Sequence, residues 1–476
     1  MLTMPGRQTR RTGPQPPTAA RHAPLALLGL VVLLLLFPPA LGAVPTPTVQ
    51  AAILVVFTIA AWAFGLFVEP VVSLTFFLLA IVFHLAKPAV VFSGFQSTAW
   101  WLVLGGSITG IAVDVTGLGR RLAGLLFGRA TASYGRIVAA VAATSVGLAF
   151  VMPSTAARIL LLMPIVLALA DRLGLAPGRI GRTGLVMTVV AASNMPPTTI
   201  LPANIPNAVL LGAADTLYGI KLTYGPYLLL HFPVLGALKT VLLVGLVCRL
   251  FPEPGRFDGA GAAPASAPLS RDEIALVLIL GAALLLFATD FLHGVSPAWV
   301  SLGAGLVCLL PAVGLVTPTS FAERANLTVL IYAAGFLGVG ALIADSGLGE
   351  RLSRALLHLA DLAPGDVTVN LAKLAAIGAG LGFLTTLSGY PAVATPLAQD
   401  FASASGIPLY TVLMLQVVVF STVFLPYQSP PMMIGMQLGG ASLRDGARLC
   451  LPLAAATVLI LIPLDYLWWW LLGYIA

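Results

Sequence analysis

The 476 residues are 59% hydrophobic and only 9% charged, with a mean hydropathy of +1.01. Soluble domains carry about 25% charged residues, so this composition excludes a soluble globular protein and indicates a chain that crosses a membrane many times. The net charge of +7 fits arginines in cytoplasmic loops rather than a nucleic-acid surface, and Cys248, Cys308 and Cys450 have no paired spacing that would make a disulfide framework or a zinc site.

Residues 1–23 form a polar tail with Arg7, Arg10, Arg11 and Arg21, which puts the N-terminus in the cytoplasm. The apolar run 24–36 reads as an uncleaved first span; a signal peptide cleaved near 40–43 is the alternative. Further spans are expected at 48–67, 70–85 and 99–115, followed by a loop with Arg120, Arg121, Arg129 and Arg136. The apolar segment 137–170 is too long for one crossing and is interrupted at Met152, Pro153, Ser154 and Thr155. Arginines flank it on both sides, which predicts a re-entrant hairpin with a polar tip at mid-membrane.

The next span, 183–211, holds Pro196, Pro197, Pro202 and Pro206 together with Asn194, Asn204 and Asn207. Each proline removes an amide donor and disturbs the turn before it, so no regular helix facing lipid can hold all four. The chain is expected to break here, with freed carbonyls turned toward a protein-lined cavity. Broken helices near the midplane are where secondary transporters hold substrates and ions. A span at 228–250 closes the first half, 24–250. A linker rich in Pro, Gly and Ala follows at 251–272.

The second half, 273–476, opens with spans at 273–292, 297–316 and 327–345. An over-long segment at 369–401 is interrupted around Thr385, Ser388, Gly389 and Tyr390, and a broken span at 411–438 holds Gln428, Ser429, Pro430 and Pro431. The last span, 449–474, carries Trp468, Trp469 and Trp470 as an interfacial belt. Landmarks recur in order at offsets of 230 (Gly347 and Gly117), 234 (Ser388 and Ser154), 232 (Pro396 and Pro164) and 225 (Met432 and Asn207). Five crossings plus a hairpin per half make the second copy inverted, and most arginines then fall on the cytoplasmic side. The fold expected is an all-α polytopic membrane protein of about eleven transmembrane helices with two re-entrant hairpins and two inverted repeats.

An anion taken from water needs donors. Ser154, Thr155, Ser388 and the amides near Gly389 are the candidates at the tips, where helix N-termini favour negative charge. A hard cation needs oxygens, which the proline-freed carbonyls, Asn204 and Asn207 could offer. Arg158 is an intramembrane charge and a candidate anion partner. Tyr390 is expected to gate the site or to pack. Asp114, Asp290, Asp345 and Lys239 are placed near span ends as interfacial residues, and His84 and His231 in the core or interface. No protease, hydrolase or nucleotide-binding spacing occurs, so neither an enzyme nor an ATP-driven pump is expected, and no cofactor.

The order of hairpin, broken span, linker, hairpin and broken span resembles the divalent-anion/sodium symporters of the ion-transporter superfamily. Pro153-Ser154-Thr155-Ala156-Ala157-Arg158 is similar to that family's first tip, and Asn204-Ile205-Pro206-Asn207 to its first broken-span motif, with Ala191-Ala192-Ser193 upstream. Ser388-Gly389-Tyr390 and Ser429-Pro430-Pro431-Met432 stand at the second tip and break. The resemblance implies a scaffold and a transport domain in elevator-like movement, a homodimer in the bacterial inner membrane, and a small anionic substrate such as a di- or tricarboxylate. Coupling would be to Na+ or H+, or by anion exchange. It implies substrate contacts from Ser154, Thr155, Asn207, Ser388, Gly389, Tyr390, Ser429 and Pro430. Ion contacts would come from Ser154, Ser193, Asn194, Asn204, Asn207 and Gln428. Gly389 and Met432 replace oxygen-bearing positions, so the second cation site is expected to be weakened or absent. A cation/proton antiporter or arsenite-type permease of the same superfamily is the alternative.

Overall fold

A computed structural model describes residues 18–41, 44–127, 133–254, 268–362 and 364–475. Arg7, Arg10, Arg11, Arg129 and most of the linker lie outside the described residues, as does part of the 40–43 cleavage alternative. The described fold is all-helical. Six described helices are long and apolar enough to cross a membrane, among them Thr98–Thr116, Tyr224–Leu250, Leu327–Asp345 and Leu443–Leu471. Other expected crossings correspond to shorter apolar helices such as Glu69–Val82 and Pro297–Leu309.

Helices in this chain pack through small residues, because lipid tails compete equally well for apolar side chains. Thr98–Thr116 lies against Pro297–Leu309 so closely that a Cβ on Gly105 would collide with the backbone of Ser301 and Leu302. The Ser301 hydroxyl donates to the Leu102 carbonyl at 3.2 Å across the same seam. At the head of Arg271–Ala288, Ser270 and Glu273 form a reciprocal capping box, and Glu273 also takes the Arg121 guanidinium at 2.7 Å.

The two over-long apolar segments each fold as a pair of helices around a tip. The first pair is Tyr134–Ala149 and Thr155–Arg172, parted at Met152-Pro153-Ser154. The second runs from Val367–Leu384 through a tip to Gly389–Ala394, a 3-10 turn at Thr395–Leu397, and Ala398–Ser405. The proline-rich spans are interrupted as their composition demands. Ile180–Asn194 ends, two 3-10 turns follow at Pro196–Thr199 and Leu201–Ala203, and Ile205–Tyr218 resumes. In the second half Leu409–Phe420 gives way to a 3-10 turn at Pro426–Gln428 and then to Pro430–Gly439. A long helix follows each break, and each contains a π-helical stretch, at Phe232–Leu238 and Thr457–Leu461.

Several expectations for individual residues change. Lys239 lies at the middle of Tyr224–Leu250, 1% exposed, and Asp290 is buried, where both were placed at the interface. The reason for Asp290 is local: its carboxylate accepts the Tyr224 amide at a helix start. Trp469 is buried against His231 at a ring distance of 5.6 Å, while Trp470 is exposed, so the tryptophan run is split between core and surface.

Candidate functional site

A cavity of about 180 Å³ lies where both tips and both breaks meet. Its lining includes Ser154 and Thr155 from the first tip, Asn194 and Asn204 from the first break, Ser388 from the second tip, and Gln428, Ser429 and Pro430 from the second break. Three helix N-termini reach it. Ser154 caps Thr155–Arg172, Asn204 caps Ile205–Tyr218, and Ser429 precedes Pro430–Gly439. The positive ends of three helix dipoles therefore converge on one space.

The hydrogen bonds define what this cavity offers. Asn204 Oδ1 accepts the Asn207 amide at 3.1 Å, which fixes the orientation of its side chain and leaves Nδ2 a buried donor without a partner. Asn194 Oδ1 accepts the Ser429 hydroxyl at 2.8 Å, joining the two breaks, and its Nδ2 is likewise unpartnered. Ser154 Oγ accepts from the Ala157 amide at 3.3 Å, so its proton remains free to donate. The arrangement is a set of neutral donors and dipole ends, suited to an oxyanion.

Several carbonyls of the first break already hold donors from the protein. Side chains of the protein take them. Thr198 and Thr199 hydroxyls donate to Met195 O at 2.6 Å and Pro196 O at 2.7 Å, Tyr227 to Thr198 O at 2.9 Å, and Asn207 Nδ2 to Ile200 O at 2.8 Å. A carbonyl buried without a donor costs free energy, and the cluster of threonines and asparagine around the prolines removes that cost.

Arg158 completes this pattern and lies away from the cavity lining. It is fully buried, with Nη2 donating to Ser193 O at 2.8 Å and Thr155 Oγ1 at 3.1 Å, and Nη1 to Ala203 O at 3.0 Å and to Met152 O. Its charge is spent on the tip and both ends of the first break. Its two Nη atoms are held by the protein, while Nε is buried without a partner.

The second tip also departs from expectation. The amides of Gly389 and Tyr390 both donate to Thr386 O at 3.0 Å, and Leu387 donates to Gln428 O at 2.9 Å, so they are committed within the protein. Tyr390 packs against Gly378, off the cavity. Gln428 Oε1 accepts from Phe424 and Leu425 amides at 2.8 and 3.0 Å and Nε2 donates to Gly382 O at 3.0 Å; it clamps the second break to the second hairpin rather than presenting a free oxygen. Asn207 and Ser193 are buried outside the lining, and each keeps one side-chain oxygen, Asn207 Oδ1 and Ser193 Oγ, without a partner.

Sequence reasoning missed Glu69, Asn326, Thr328 and Tyr332, which also line the cavity. Glu69 opens the Glu69–Val82 helix just before Pro70, and an acidic residue at the head of an apolar run was a visible signal. Tyr332 is buried and shares the cavity wall with Ser388 of the second tip.

A family model described as the sodium:sulfate symporter transmembrane region matches residues 19–475. A Cupriavidus necator protein described as a membrane protein is 25% identical over 395 residues, covering 80% of this chain and 77% of the relative. A Chlamydomonas reinhardtii protein, named provisionally as a sulfur deprivation response regulator, is 30% identical over 208 residues, 42% of this chain and 33% of that protein. Among solved structures, the Alcanivorax borkumensis YdaH transporter is similar in fold, with a TM-score of 0.52 and 17% identity over 90% of this chain and 99% of that one.

Proposed function

The chain belongs to the sodium:sulfate symporter family, and from that premise we propose that it carries a small divalent oxyanion, sulfate or a dicarboxylate, across a bacterial inner membrane. The observation that carries this reading is the convergence of three helix N-termini and the unpartnered amide donors of Asn194 and Asn204 on one cavity. A cavity of about 180 Å³ suits an ion of this size. No lysine or arginine is among its described lining residues. The ligand's charge is then met by dipoles and by a cotransported cation rather than by a fixed side-chain charge.

For that cation the first half has suitable chemistry. Ser193 Oγ and Asn207 Oδ1 are buried, neutral and without a donor, the kind of oxygen a sodium ion takes in place of water. In the second half Gln428 Oε1 is engaged and Met432 is a buried thioether, which leaves Ser429 Oγ as the oxygen of that motif still able to accept. Hydrogen bonds tie hairpin to break in each half and break to break through Ser429 and Asn194. This supports the two hairpins and breaks moving as one body against the remaining helices, elevator-like. The N-terminus is placed in the cytoplasm on the arginine pattern, and the protein functions as a homodimer.

The test is uptake into proteoliposomes of radiolabelled sulfate, succinate, citrate and arsenite under imposed sodium gradients. Saturable uptake of sulfate or a dicarboxylate that needs the gradient is the expected result. Uptake of arsenite alone would favour the permease alternative and overturn the reading.

A further inference from the structure

The second break is neutralised differently from the first. Lys239 Nζ donates to Ser421 O at 2.6 Å and stands 3.4 Å from Ser421 Oγ. Ser421 closes the Leu409–Phe420 helix, whose last carbonyls carry the negative end of the helix dipole. Both breaks thus hold a buried cation at the C-terminal end of their first half-helix. In the second a buried carboxylate lies on a helix packed beside that cation.

That carboxylate is Asp465, 2% exposed, on the Ile462–Leu471 part of Leu443–Leu471, which packs against the Phe232–Leu238 stretch just before Lys239. Its Oδ1 has no hydrogen-bond partner. Asp465 is also the charged residue among the described lining of a second cavity of about 620 Å³, walled by apolar residues such as Leu371, Val419 and Ile462. The other titratable groups nearby are His231 and Tyr227 on the facing helix and Tyr466 beside Asp465. His231 contacts Trp469 edge-on, Tyr227 donates to Thr198 O, and Tyr466 shares a hydrogen bond of 2.7 Å with Thr368. None of them satisfies Asp465 Oδ1.

We propose that Asp465 is a proton-binding site that Lys239 couples to the second break. The proposal rests on the transporter reading and adds a second coupling ion to it. A proton from the aqueous phase enters by the cavity and forms an O–H bond at the open Oδ1, which takes the pair from net zero to one positive charge. Ionisable groups within the membrane are expensive and mark ion pathways. A buried ion also depends strongly on its partner. Protonation removes the negative charge beside Lys239, and the ammonium is left to the Ser421 carbonyl and the helix dipole. The state of Asp465 thereby biases the geometry of the break, and with it the hydrogen bonds through which Ser429 and Gln428 join the transport elements.

Two measurements test this in the full-length purified protein. The first is an infrared titration, which should show a protonated-carboxyl band that grows as pH falls, is lost in Asp465→Asn and is shifted but kept in Asp465→Glu. The second is sulfate uptake into proteoliposomes against pH. The wild-type rate should change by up to about tenfold per pH unit over the titrating range, the slope of a one-proton equilibrium. Asp465→Asn should be flat, and Lys239→Arg, whose charge does not titrate, should keep the wild-type profile. A carboxyl band unchanged in Asp465→Asn overturns the assignment, as does a pH profile that survives in Asp465→Asn or vanishes in Lys239→Arg. If sulfate is not taken up at all, the transporter reading fails by itself, and the infrared titration still decides whether Asp465 binds a proton.

Discussion

Replacing Arg158 by Met separates two roles that the same residue could play. Methionine keeps an unbranched stem of similar reach and removes the donors. It strands three buried carbonyls, Met152 O, Ser193 O and Ala203 O, and one hydroxyl, Thr155 Oγ1. An unsatisfied buried acceptor costs about 1–3 kcal/mol. Removing a guanidinium from the interior returns part of its desolvation cost, which is several kcal/mol for a buried ion. Water can also enter from the adjacent cavity, which Thr155 lines. A net loss of about 3 kcal/mol is expected. With an unfolding entropy of about 2.1 cal/mol/K per residue, 476 residues give about 1 kcal/mol/K, so the melting temperature should fall by about 3 °C. The assay is thermal unfolding in detergent, paired with binding of sulfate and of a monovalent oxyanion. As a clamp, Arg158→Met lowers the melting temperature and weakens both anions alike. A variant that melts with the wild type and loses the divalent anion selectively would refute the argument and restore Arg158 as the ligand's partner.

Three other outcomes are expected. Glu69→Gln removes a half-buried negative charge from the cavity wall and should tighten sulfate binding about fivefold, near 1 kcal/mol, measured by calorimetry at low salt. Asn204→Asp keeps a good helix cap but replaces the unpartnered N–H donor by an acceptor; the melting temperature should hold while sulfate binding is lost. Gly105→Ala forces a methyl against the backbone of Ser301 and Leu302 and should destabilise the protein by about 1–3 kcal/mol, read from thermal unfolding.

The interruptions were legible because proline acts locally. Pro196, Pro197 and Pro202 fall in 3-10 turns, and Pro206 in the first turn of the helix that resumes. The order of tip and break led to the expectation that Ser154, Thr155, Asn207 and Ser388 meet; the first, second and fourth line one cavity and Asn207 lies outside its lining. What the sequence did not disclose is where each polar atom spends its hydrogen bonds. Thr198, Thr199 and Asn207 bond carbonyls within seven residues of themselves, whereas the bonds from Tyr227 and Arg158 depend on packing between separate segments. Lys239 was assigned to the interface although it sits near the middle of its span, because its partner, the Ser421 carbonyl, lies 182 residues away in the chain. Glu69 was readable as an acidic residue at the head of an apolar helix, but its place on the cavity wall beside Tyr332 of the other half was not.

Both buried cations near the breaks are used on protein carbonyls, and this constrains coupling. A sulfate ion in the cavity brings two negative charges. Three helix N-termini offer about half a charge each, or about 1.5 in all. An ionised Glu69 on the wall subtracts one. The deficit is about 1.5 charges, more than one cation supplies and no more than two. Ser193 Oγ and Asn207 Oδ1 suit one sodium ion, and Asp465 takes one proton. One sodium and one proton per sulfate make the cycle electroneutral. Reversal-potential measurements in proteoliposomes should then find sulfate flux that responds to both gradients and is indifferent to membrane voltage. Two or more sodium ions per sulfate would mean that the second half holds a sodium ion after all, and an inward current of positive charge would break the electrostatic argument itself.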